Sequence, residues 1–178
     1  SAELMLAIEE VARAGQANQM VATVGRLAAK PGAVNVIPAE VVFTLDIRAD
    51  ADAPRLSAIA ELDARFQAIA NRRGVSVAMD KFYESPTTPC APRLQEAFAA
   101  AAGDLGLPQR RLASGAGHDG HAMHHLTDVG MLFVRCRGGI SHNPAEFAAI
   151  DDMGLAVEAL IKAVERLAID AESPGDRI

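Results

Sequence analysis

The spacing of apolar residues changes period along this chain, and that change constrains the fold most. Leu4, Ile8, Val11 and Ala12 recur at helical spacing, so residues 1–14 predict an amphipathic helix with Gly15 as its stop. Met20–Leu27 is β-branched and apolar enough for a strand, and Pro31-Gly32 turns the chain. Val41, Phe43, Leu45 and Ile47 then alternate with Val42, Thr44, Asp46 and Arg48, the period of a half-buried strand. Arg48 falls at the end of that strand on its open face. Asp52 and Pro54 open a second helix as cap and early-turn proline, with Leu56, Ile59, Leu62, Phe66 and Ile69 inward and Gly74 as its end. Val75–Tyr83 reads as a further strand. The order αββαβ becomes a split βαβ sandwich once one strand is placed in front, so residues 1–84 predict a ferredoxin-like domain lacking its first strand.

Ser85-Pro86-Thr87-Thr88-Pro89 breaks the periodicity and marks a boundary. Beyond it, Leu94, Phe98, Ala101 and Leu105 predict a helix. A short strand is expected near Arg111–Ala113 and a helix after Asp119. The apolar run Val129–Val134 suits a strand covered on both faces. Met153, Val157, Leu160, Ile161, Val164, Leu167 and Ala168 form one stripe of a last helix from about Asp151 to Ile169. Pro174-Gly175 and the polar tail are expected to fray. The fold class is therefore α/β, with residues 85–178 as a second domain.

Composition narrows function. Of the 178 residues, 36 are Ala, so helices must pack closely to fill a core. Net charge is −6 with no basic stripe, which argues against nucleic acid as a partner. No stretch approaches the ~20 apolar residues of a membrane span, and no signal peptide is evident. The two cysteines, Cys90 and Cys136, read as ordinary thiols of a cytoplasmic protein. The chain begins with Ser at the onset of a helical pattern, which is expected of an internal piece of a longer protein.

Three segments carry candidate chemistry. Ser114-Gly115-Ala116-Gly117-His118-Asp119-Gly120 combines small residues, which permit close backbone approach, with a carboxylate able to cap the next helix. A phosphate loop is the alternative, although neither GxGxxG nor GxxxxGK[ST] is present. His118, His121 and His125, with His124 beside them, would share a helix face at a spacing open to zinc or nickel, or simply form a solvated polar face. Gly138-Gly139-Ile140-Ser141-His142-Asn143-Pro144-Ala145-Glu146 follows the apolar run at a sheet edge where open α/β folds bind ligands, and the imidazole of His142 could bind a metal there. Arg48 suits a bidentate grip on a carboxylate, or a surface salt bridge with Asp46 or Asp50, and Asn35 could add amide donors.

Val34-Asn35-Val36-Ile37-Pro38, Asp46-Ile47-Arg48, the Ser114–Asp119 loop and Gly138–Glu146 together resemble the allantoate amidohydrolase, N-carbamoyl-L-amino-acid hydrolase and β-ureidopropionase group of the dinuclear metal aminoacylase/carboxypeptidase superfamily. The resemblance implies that residues 1–84 are most of a lid and dimerisation domain. Residues 85–178 would be the C-terminal part of a catalytic domain binding two divalent metals such as zinc or manganese. It implies His142 as a metal ligand and Asn35 and Arg48 as holders of a small-molecule substrate's carboxylate. Gly139 and Ser141 would line the pocket, with His118 near it. It also implies a homodimer through the lid. Pro38-Ala39 and Gly120 depart from the group's Pro-Gly and GHDA. The group's other metal ligands and its catalytic Glu precede the lid and have no counterpart here. The chain alone is therefore expected to bind no metal tightly and to be inactive. An aminoacylase or dipeptidase of the same superfamily, and a non-catalytic dimerisation module, are the alternative readings.

Overall fold

The structure, a computed structural model, describes residues 1–172, so the expected frayed tail at Pro174-Gly175 lies outside the described residues. The described chain forms two compact units. One comprises Ser1–Thr87 with Ala113–Ala116, and the other Thr88–Leu112 with Gly117 onward. The break after Thr87 falls inside the Ser85–Pro89 segment.

In the first unit, helix α1 (Ala2–Ala14) runs into a 3-10 turn at Gly15–Asn18. Strands β1 (Val21–Lys30) and β2 (Glu40–Arg48) pair antiparallel, from Val21 opposite Arg48 to Lys30 opposite Glu40, with an irregularity between Val24 and Leu27. Helix α2 (Asp52–Arg73) follows and ends at Gly74, whose φ of 64° is the left-handed stop that glycine adopts without a Cβ penalty. Leu4, Ile8 and Val11 of α1 meet Leu62 and Phe66 of α2 over the apolar hairpin face of Val24, Phe43, Leu45 and Ile47. Leu62, 1% exposed, sits at the centre. Asp52 does not cap its helix. Its carboxylate instead accepts the Thr87 backbone N–H at 3.1 Å and an Arg55 N–H at 3.0 Å, which ties the end of the unit to the start of α2. These two donors hold the Asp52 carboxyl below its ordinary range, Arg55 contributing most.

Residues 75–83 are not a strand. Val77 packs on the core, but beyond the bond from Val75 N–H to the Ala70 carbonyl no neighbouring backbone among the described residues supplies a ladder. The unit thus holds one two-stranded sheet, and the full split βαβ pattern is not formed.

In the second unit, α3 (Pro92–Asp104) packs on α5 (Ile150–Glu172). The contact is an alanine seam. Ala97, Ala101 and Ala163 are buried with Phe98 and Leu167 against them, while Met153, Val157, Leu160, Ile161 and Val164 of the expected stripe are exposed. Small side chains let the two backbones approach closely, and that geometry overrides the bulkier stripe. The expected strands at Arg111–Ala113 and Val129–Val134 are also absent, for the same want of a ladder partner. The second run is nevertheless pressed against α3. A Cβ at Gly130 would lie 2.9 Å from Leu94 Cβ and 2.9 Å from Phe98 Cε2.

Two substitutions test this packing in opposite directions. Gly130→Ala should destabilise by about 1–3 kcal/mol through overpacking. Gly154→Ala, inside α5 with open space around its Cβ, should stabilise by roughly 0.5–1 kcal/mol through helix propensity. Thermal melts of the two variants should move in opposite senses; a shared direction would contradict the packing described.

Candidate functional site

Arg48 ends β2, and the period of the strand puts its side chain on the face that Asp46 shares. Its Nε and Nη2 donate to the two Asp46 carboxylate oxygens at 2.8 and 3.1 Å, and Nη1 donates to the Gly115 carbonyl at 2.5 Å. The bidentate bond to Arg48 keeps the Asp46 carboxyl below its usual range, against a smaller opposing effect of burial, and raises the guanidinium in turn. Of the five guanidinium N–H groups, three are engaged, which leaves two among the described residues for an incoming anion. The Gly115 loop presents a carbonyl oxygen to a cation. That polarity is opposite to a phosphate cradle, which presents N–H groups.

Asn35 sits in the exposed loop joining β1 to β2, next to Val34 (107% exposed) and Ile37 (91% exposed). Arg48 lies at the other end of β2, and nine strand residues extend about 26 Å at ~3.3 Å per residue. The two residues expected to share one carboxylate are therefore at opposite ends of the hairpin within a single chain.

In the second unit, helix α4 (Gly120–Met123) is a single turn. His118, His121 and His125 consequently do not share a helix face. His118 Nδ1 accepts the Gly120 N–H at 2.9 Å, so the imidazole, and not the Asp119 carboxylate, bonds at the start of the turn. His121 Nδ1 pairs with Thr88 Oγ1 at 2.6 Å. The His121 and His124 rings lie 6.1 and 5.9 Å from the His125 ring.

The Gly138–Glu146 segment is a closed exposed loop. Arg137 N–H donates to the Phe147 carbonyl at 2.8 Å, and the Arg137 guanidinium stacks 4.2 Å from the Phe147 ring. Gly138 and Gly139 have φ of 65° and 68°, which turns the chain tightly enough to bring Ser141 and His142 to the loop's tip. Ser141 Oγ lies 2.8 Å from His142 Nδ1, and Glu146 Oε2 accepts the His142 backbone N–H at 2.8 Å. Asp46, one of the two salt-bridge partners the sequence offered for Arg48, is the one it meets, whereas Glu146 entered the sequence reading only as the end of the Gly138–Glu146 segment, with no role.

Residues 4–166 match peptidase family M20/M25/M40. The chain belongs to this family. It is 40% identical over 157 residues to an allantoate deiminase of Arabidopsis thaliana, covering 84% of this chain and 30% of that protein. It is 35% identical over 165 residues to an N-carbamoyl-L-amino-acid amidohydrolase of Pseudomonas sp. (strain NS671), covering 92% and 40%. A solved hydantoinase/carbamoylase family amidase from Burkholderia ambifaria superposes with a TM-score of 0.81 at 32% identity, covering 92% of this chain and 38% of that one. This M20 chain thus spans well under half the length of these hydrolases. Enzymes of the M20 family are generally metal-dependent. The donors of this chain do not by themselves fit that requirement. Among the described residues no group of three or more His, Cys, Asp or Glu is placed to hold a metal ion, and one imidazole at residue 142 is not a coordination shell.

The Asp46–Arg48 pair gives a direct test. Because the folded carboxyl titrates low, the stability it contributes is present above the unfolded pKa and is lost as pH falls through the lowered folded value. Arg48→Met should return the Asp46 midpoint, followed by carboxyl carbon-13 resonance, to the ordinary aspartate range. A midpoint that stays low in the variant would contradict Arg48 as the cause.

Proposed function

We propose that this chain is the C-terminal part of a metal-dependent amidohydrolase that cleaves the ureido C–N bond of allantoate or of an N-carbamoyl amino acid. The carrying observation is the match to hydrolases named for those two substrate types, which runs through both Arg48 and His142. In this reading one water adds to the ureido carbonyl, one C–N bond breaks to leave a carbamate, and the carbamate loses carbon dioxide as its own C–N bond breaks, so that the substrate's amine, ammonia and carbon dioxide are the products. Arg48 binds the substrate carboxylate through its two remaining N–H donors, with Asp46 holding the guanidinium in place. Residues 1–84 act as lid and dimerisation domain. Gly139 lines the pocket and His118 lies near it. His142 supplies one ligand of a dinuclear zinc or manganese centre, whose other ligands come from the part of the M20 chain that this one does not span. The Lewis acidity of such a centre would polarise the ureido carbonyl.

The separation of Asn35 from Arg48 along the hairpin favours a homodimer. Two groups about 26 Å apart meet one carboxylate only if they come from different copies. Asn35 of one copy would then join Arg48 of the other.

The reading is tested by assaying ammonia release. The 178-residue chain alone should release none from allantoate or N-carbamoyl amino acids. In the intact enzyme carrying this chain, Arg48→Met should lower kcat/KM by about 100-fold, the loss of roughly 3 kcal/mol of charge-assisted hydrogen bonding. Turnover by the isolated chain at the rate of the intact enzyme, or an Arg48→Met enzyme of unchanged kcat/KM, would overturn it.

A further inference from the structure

His142 has a φ of 57°, in the left-handed region where side-chain-bearing residues are uncommon. An L residue there is disfavoured relative to the right-handed conformation because its Cβ crowds the following carbonyl oxygen. Strain of this kind persists only where the surroundings fix it. The loop's base does not depend on that strain. The Arg137 N–H bond to the Phe147 carbonyl, the stacking of Arg137 on Phe147, the Ala145 N–H bond to Asn143 Oδ1 at 2.9 Å and the Glu146 N–H bond to the Asn143 carbonyl at 2.9 Å all close it without His142. Two side chains act on the histidine itself. The Glu146 carboxylate takes its backbone N–H, and Ser141 Oγ meets its Nδ1, each at 2.8 Å.

We propose that Glu146 and Ser141 are positioning residues for His142: Glu146 holds its backbone left-handed, Ser141 Oγ accepts a hydrogen bond from Nδ1–H, and the unprotonated Nε2 is presented outward as the ligating nitrogen. The inference rests on the reading of His142 as a ligand and goes beyond it. It gives the Ser141 hydroxyl to the imidazole in place of the substrate, and it gives Glu146 a role. An imidazole that ligates through one nitrogen is fixed by the acceptor bound to the other, and the hydroxyl is the acceptor in reach here. The backbone bond matters because a His142 that relaxed to right-handed φ would swing its Cβ, and with it the ring, away from Ser141.

Long-range proton–nitrogen NMR of the full chain tests this at about pH 8.5, where an ordinary histidine is neutral. The parent should show the Nδ1–H tautomer of His142 in the majority, the reverse of free histidine in water. Ser141→Ala and Glu146→Ala should each return the ring to the free-histidine preference, while Glu146→Gln, which keeps an acceptor oxygen, should retain the parent tautomer. A parent dominated by Nε2–H, or a Glu146→Ala tautomer identical to the parent's, would overturn the proposal. Metal analysis of the intact enzyme carrying this chain separates it from the reading beneath it. His142→Ala should lower the zinc bound by that enzyme. Zinc content that His142→Ala leaves unchanged, with the tautomer result intact, would overturn the ligand reading while leaving the hold on the ring established.

Discussion

The β1–β2 ladder is where extended backbone finds hydrogen-bond partners among the described residues, and the first unit is organised on it. The hairpin turns one apolar face to α1 and α2, and Leu62 and Phe66 close the space between. Its length also fixes where the candidate groups can be, because it places Arg48 at one end and the Asn35 loop at the other. Elsewhere the extended segments have single backbone bonds, Val75 N–H to the Ala70 carbonyl at 3.1 Å and Ala91 N–H to the Val129 carbonyl at 2.8 Å, and are otherwise held by side-chain packing. Val77 rests on the core of the first unit, and the glycine at 130 brings its backbone against α3 in the second. A backbone that is extended but unladdered keeps its polar groups for water or for a neighbour.

This explains what was legible in the residues and what was not. Helices α1, α2, α3 and α5 could be read because a helix satisfies its own backbone, so that period, cap and stop signals lie within one segment. Gly74 is the clearest case, a left-handed residue directly after the last apolar turn. A strand is a property of two segments. Val75–Tyr83 and Val129–Val134 have the composition of strands without a partner beside them, and composition cannot reveal that. The exposed stripe of α5 has a related origin. Bulky apolar residues suggested the buried face, yet the seam follows Ala97, Ala101 and Ala163, where two helices come nearest.

The candidate site was partly legible for the same reasons. A period of two places Arg48 on the open strand face, and Asp46, two residues earlier, is on that face too. The motif around His142 could be recognised, but its left-handed backbone depends on a carboxylate four residues later, which no periodicity announces. The single-turn α4 separates histidines whose spacing suggested one face. What emerges is a division of labour. This M20 chain carries a pre-set guanidinium with donors to spare in one unit and a pre-set imidazole in the other, and neither is a complete centre.

Hydrogen–deuterium exchange tests the underlying constraint most directly. The amides of β1 and β2 that face each other in the ladder should exchange slowly, while those of residues 76–83 and 130–134 should exchange as freely as loop amides. Protection of either run to the level of the β1–β2 ladder would contradict the account, because it would show that those segments already have strand partners in this chain.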